Sequence, residues 1–199
     1  MHPATGTEPS RELFGLNDSR PEDALLISGL IMGLDAAPAT PQIMLYAAGS
    51  MDGGMGGIQN ANGFCQSSPS QPPGTMSKAF LSTSDQDLIS LPGVPADLAV
   101  RGPNGSLIAD NWSDLFGTGE SIENSMYDAG VLPFPSSTFY TGTDVNGQSS
   151  NLNTCLDWNS PSLQDTGAVG IANLTAENWI NGGAPMECAY SHSILCAAW

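Results

Sequence analysis

Two hydrophobic patterns divide the chain near residue 41. Residues 1–19 are polar and turn-rich, with Pro3, Gly6, Pro9, Gly15 and Asn17 interrupting any long helix. Ser19 then stands as a helix cap before Pro21, Glu22 and Asp23, which suit a first helical turn. The run Ala24-Leu25-Leu26-Ile27-Ser28-Gly29-Leu30-Ile31-Met32-Gly33-Leu34 that follows is apolar on nearly every face and stops at Asp35 and the prolines Pro38 and Pro41. It is shorter than the roughly 20 residues that cross a bilayer. Ala37-Pro38-Ala39 mimics a secretory cleavage site, but the preceding residues are acidic and long for a signal peptide. The better expectation is an arm, residues 1–41, whose apolar helix is buried against another copy or against the chain itself.

From Pro41 onward the apolar positions come in short bursts separated by turn residues. Ile43–Ala48 reads as a strand, the glycine-rich stretch after it leads into a helix around 57–66, and Ala79–Thr83 reads as another strand. Asp110–Phe116 has the spacing of one amphipathic helical turn. Phe139–Thr143 reads as a strand running into a turn at Asn146-Gly147, and Ser193–Cys196 reads as the last strand. No internal repeat and no low-complexity tract is present.

Composition fits that picture. Of 199 residues, 23 are glycine and 15 proline, and only 12% are charged, which describes short strands on many ordered turns. Arg11, Arg20, Lys78 and Arg101 face 20 acids, for a formal charge of −16. So few cations exclude nucleic-acid binding by counterion release and disfavour heparin-like polyanions and anionic membranes.

The four cysteines, Cys65, Cys155, Cys188 and Cys196, include no CxxC pair, and His2 and His192 are the only histidines. A disulfide framework in an oxidising setting fits better than a zinc site, with three connectivities open. Bridged cysteines are not nucleophiles, His192 beside a cysteine-bearing strand reads as structural, and no spacing singles out an acid pair, so the expectation is non-enzymatic. Asp144-Val145-Asn146-Gly147 has oxygen ligands at alternate positions, as calcium loops do, but lacks the later glutamate and reads better as a turn. Asp110, Asp114, Glu120, Glu123 and Asp128 would hold a cation only by converging. Asn17, Asn104, Asn111 and Asn173 begin N-x-Ser/Thr sequons, which matter only in a eukaryotic secretory route.

Seven motifs in order carry a family likeness: GGMGGIQNANGFCQ (53–66), AFLSTSDQDL (79–88), LIADNWSDLF (107–116), FYTGTDVNGQ (139–148), NTCLDW (153–158), TGAVGIA (166–172) and ECAYSHSILC (187–196). Together they resemble the endostatin domain of collagens and related bacterial surface and lipoprotein domains, over about residues 42–199. The resemblance implies an α+β, C-type-lectin-like fold with short strands, one or two helices and long ordered loops. It also implies two nested bridges, Cys65–Cys196 outside and Cys155–Cys188 inside, and structural roles for Trp112 and Trp158.

The departures restrict what else the resemblance brings. The segment 38–52 has no histidine where endostatin places zinc ligands, the arginine-rich heparin surface is missing, and the calcium triplets of carbohydrate-binding C-type lectins do not occur. What the resemblance implies is a scaffold without a cofactor. The expectation is therefore an extracellular binding or adhesion module that recognises a glycan or protein through a loop face, roughly 101–138 and 142–165. Trp112, Tyr127, Phe134, Tyr140, Asn151 and Trp179 are the candidate contacts. The alternative is a structural or decoration subunit of a virion, filament or appendage, anchored by self-association through residues 1–41.

Overall fold

The architecture, taken from a computed structural model that describes residues 40–199, is a curled mixed sheet with a core on each face. Its centre is the last strand, β9 (His192–Ala198). β1 (Ile43–Met51) runs antiparallel to β9 along Met44–Met51, with a bulge between Ala47 and Gly49. Two short strands share the other side of β9: β2 (Ser77–Ala79), antiparallel at Cys196–Ala198, and β5 (Thr138–Tyr140), parallel at Ser193. β3 (Val100–Arg101) pairs parallel with β1, and β4 (Leu107–Ala109) closes that edge. β7 (Val169–Ile171) flanks β5, while β6 (Thr166–Gly167) and β8 (Met186–Glu187) form a separate ribbon. Residues 40–199 are one compact unit. The expected arm and its apolar helix lie outside the described residues.

Ile194-Leu195-Cys196-Ala197-Ala198 is buried without alternation because β9 faces a core on both sides. Leu195 and Ala197 point into one, with Ile43 and Leu45 of β1 and Phe139 of β5. There Phe80, Trp112, Phe116 and Trp179 pack together, Phe80 and Phe116 stacked and the other pairs edge-on or tilted, with centroids 5.6–6.4 Å apart. Ile194 and Cys196 point into the other, with Tyr46, Tyr140 and Trp158.

The second core lies under helix α1 (Ile58–Gln66), whose sequence IQNANGFCQ is a weak helix former. Tertiary packing holds it: Ala61 and Cys65, one turn apart, are fully buried, and Cys65 is bonded to Cys196 of β9. Gly57 caps α1 at φ +88°, a conformation open to glycine, and its N–H donates to Trp158 O. The second bridge joins Cys155 to Cys188. Gly53 sits so close that a Cβ there would meet Cys155 Sγ at 2.5 Å. Both pairings are those the family likeness implies.

The expected helix near 57–66, the helical turn (a 3-10 turn at Ser113–Leu115) and the first and last strands are present, and the strand expected over Phe139–Thr143 is present only to Tyr140. One strand is displaced: β2 spans Ser77–Ala79, Phe80 N–H still donates to Leu195 O of β9 (2.8 Å), and the chain then parts from β9, with Ser82 N–H donating to Thr141 O (2.8 Å). The Asp144 loop is a turn. Its Oδ1 accepts from the N–H of Asn146 (2.9 Å) and of Gln148 (3.0 Å), with Gly147 at φ +73°.

Candidate functional site

At the β2 end of the sheet a cleft of about 550 Å³ opens between α1, β2 and the chain end, within the range of small-ligand sites. Its lining comes from four separate stretches: Gln66 of α1, Gln71 and Thr75 to Lys78, Pro92-Gly93, and Trp199. Met76 is 65% exposed, and Trp199 is half-buried, with its ring edge 3.6 Å from where a Gly93 Cβ would stand. Reciprocal backbone hydrogen bonds of 3.1 Å between Met76 and Trp199 extend the β2–β9 ladder and fix both residues.

The polar groups of the cleft are held by backbone carbonyls. Gln66 Nε2 donates to Ser77 O (3.3 Å), Gln71 Nε2 to Thr75 O (2.8 Å) and Lys78 Nζ to Pro92 O (2.7 Å). Each amide keeps its oxygen as an acceptor, and the ammonium keeps two donors. Ser77 is occupied behind the wall, 2.6 Å from the Tyr46 hydroxyl, which donates to Cys65 O. Burial raises the Tyr46 phenol above its ordinary value despite the Ser77 hydrogen bond. The result is an apolar wall with fixed donors and acceptors, suited to holding a ligand with one apolar face and several hydroxyls.

A second, smaller cleft of about 370 Å³ lies where the start of α1 meets Thr83, Asp85, Asp157 and Asn159. Beside it, Cys155, Leu156, Asp157 and Trp158 form one turn of left-handed helix, φ +52° to +66°. Trp158 N donates to Thr154 O and Asn159 N to Cys155 O. Burial pushes the Asp157 carboxyl up, but hydrogen bonds from Ser84 Oγ (2.6 Å), Ser84 N (2.7 Å) and Thr154 Oγ1 hold it below the ordinary carboxylate value. Trp158 Nε1 donates to Ser82 O and anchors the turn from inside, as a structural tryptophan does.

The structure does not assemble the six aromatic and amide residues expected to meet a ligand. Trp112, Tyr140 and Trp179 are corrected: all are buried, at 2% exposure or less. Their polar atoms are spent inside, Trp112 Nε1 on Leu88 O, Trp179 Nε1 on Leu115 O and the Tyr140 hydroxyl on Tyr190 O. Burial, reinforced by the Asp52 carboxylate, pushes Tyr140 up to about 12. Tyr127, Phe134 and Asn151 are exposed on loops and line neither cleft. The lining of the main cleft escaped sequence reading because its pieces are far apart in the chain. Its one readable signal was Lys78, a rare base in an acidic chain.

His192 is buried, with Nδ1 2.7 Å from Thr138 Oγ1 and its ring edge-on to Tyr140 at 4.7 Å. Its Nε2 has no hydrogen-bond partner among the described residues, and burial lowers its pKa. Within the acid-rich stretch, Asp114 accepts from Asn111 and Asp128 from Ser125. Among the described residues no three His, Cys, Asp or Glu side chains gather as a metal site, and no helix is long and apolar enough to cross a membrane.

Fold and clefts together define a disulfide-bridged α+β domain with an open ligand-sized groove at the end of its sheet. The chain matches no family model and no curated protein.

Proposed function

We propose that residues 40–199 are a non-enzymatic binding module of the endostatin-like, C-type-lectin-like kind, displayed outside the cell, which recognises a glycan through the cleft between α1, β2 and Trp199. The observation that carries this reading is the cleft itself: an indole and a thioether wall beside two amides and an ammonium, each fixed by a backbone carbonyl. A sugar ring has one apolar face for such a wall and hydroxyls at its rim for such groups. The antiparallel pairing of β1 with β9 and the two nested bridges support the scaffold assignment. The bridges also support an extracytoplasmic setting, since disulfides persist where the medium is oxidising. The bridged cysteines and the buried His192 support a binding rather than a catalytic role. The site thereby moves from the loop face expected from sequence to the β2 end of the sheet. The subunit alternative rests on residues 1–41 and gains no support from the described ones.

The test is a glycan array probed with the full chain and with Trp199→Ala. Retention of specific glycans by the wild type and their loss in the variant is the expected result. Retention unchanged by Trp199→Ala and by Met76→Arg would place the site elsewhere.

A further inference from the structure

The side chains lining the main cleft depart from the charge balance of the molecule around them. The chain carries 20 acidic side chains against 4 basic ones, yet none of the nine side chains lining the cleft is acidic, and one is Lys78. Only Lys78 and Arg101 are basic between residues 40 and 199, and Arg101 spends Nη1 on Gly105 O in its own turn. The Lys78 ammonium donates to Pro92 O at 2.7 Å, at the cleft, and no side chain lining the cleft offers it a carboxylate. A cation held this way, in a site with no acidic side chain, is arranged for an anion that comes with the ligand.

We infer that the ligand is a short saccharide bearing a carboxylate, which pairs with Lys78 while its ring lies against Trp199 and Met76. This rests on the glycan reading above and narrows it. Gln66 and Gln71 present amide oxygens to ring hydroxyls, since each has committed its Nε2 to the backbone. A lone inorganic anion would leave the apolar wall bare. A long polyanion would have to lie along a surface of net charge −16, within reach of its repulsion at low salt. One charge on a small ring satisfies both limits. Two sources share that chemistry, a sialic-type sugar and a uronic acid.

The experiment is titration calorimetry on the full chain with a sialylated trisaccharide, a glucuronate-containing disaccharide and the neutral lactose core. At least one carboxylated sugar is expected to bind about tenfold or more tighter than lactose at low salt, as a charge-assisted hydrogen bond allows. That advantage shrinks in about 0.5 M NaCl, where screening is short-ranged. Which of the two sugars binds identifies the source. Lys78→Gln removes the preference for charge while keeping the neutral affinity, Lys78→Arg keeps the preference, and Trp199→Phe retains more affinity for every sugar than Trp199→Ala. Unfolding midpoints taken on each variant separate loss of binding from loss of fold. Equal binding of charged and neutral sugars overturns the carboxylate inference and leaves the glycan reading standing. A folded wild type that binds none of the three sugars overturns the inference, and the array decides the broader reading.

Discussion

Four consecutive residues with side chains, Cys155 to Trp158, sit in left-handed backbone, a conformation that raises the energy of an L-residue by about 1–2 kcal/mol each. Three of them are secured: Cys155 by its bridge, Asp157 by Ser84 and Thr154, and Trp158 by burial and its bond to Ser82. Leu156 is not. It is 67% exposed, so its side chain offsets little of the strain. Asparagine tolerates this backbone region without glycine's added freedom in the unfolded chain. Leu156→Asn is therefore expected to stabilise the domain by about 0.5–1 kcal/mol, read as a raised urea midpoint; a lowered midpoint would mean that Leu156 is held by packing. A second residue-scale effect belongs to His192. Burial holds its folded pKa below the ordinary 6.5, so between the two values the unfolded chain binds a proton that the folded chain refuses. Stability is whole above 6.5 and falls as pH drops through 6.5 toward the folded value. Urea midpoints compared at about pH 7.5 and 5.5 should show that fall, and His192→Gln, which can still meet Thr138, should flatten it. An unchanged slope in the variant would assign the effect to other groups.

β2 is three residues long and flanks β9, and side chains of α1 stand where another strand would pair. Asn62 Oδ1 accepts from Ala79 N–H at 2.9 Å, and Gln66 Nε2, one turn on, donates to Ser77 O. Two amides on one helix face thus occupy backbone groups that would otherwise recruit a second chain. Asn62→Ala leaves the Ala79 N–H, on a fully buried residue, without a partner, at about 1–3 kcal/mol. It should also increase aggregation on heating, measured by light scattering; a variant as stable and as soluble as wild type would reduce Asn62 to a bystander. This device also marks where the sequence was legible. α1 was readable from the glycines before it and its cysteine, and β1 and β9 from runs of apolar residues. β3, β4, β6, β7 and β8 are two or three residues each, and only long-range pairing makes them strands, so no local pattern announces them. The 79–83 strand was misplaced because a run buried on every side looks the same whether or not it stays in a ladder. Three of the candidate contacts failed for a related reason. Aromatic content predicts neither burial nor exposure, and Trp112, Tyr140 and Trp179 turned inward while Trp199 remained at the rim of the cleft.

At the scale of the molecule the two bridges do different work. Cys65–Cys196 spans 131 residues and ties α1 to the central strand beneath the cleft, whereas Cys155–Cys188 spans 33 and clamps the left-handed turn. Chain entropy alone gives the outer bridge about 5 kcal/mol and the inner about 4. The backbone widens that gap. Without the outer bridge, α1 keeps a poor helical sequence and loses the covalent link on its buried face, so the cleft wall formed by Gln66 loosens with it. Without the inner bridge, Cys155–Trp158 can relax toward ordinary backbone, and the relief offsets part of the lost constraint. The double variant Cys65→Ala/Cys196→Ala is therefore expected to lose more stability than Cys155→Ala/Cys188→Ala, by more than the roughly 1 kcal/mol that loop length alone provides. Urea unfolding of both, beside a wild type with no free thiol after denaturation, measures it. Equal losses, or a larger loss for the inner pair, would show that the left-handed turn is the keystone and that α1 stands on its packing alone.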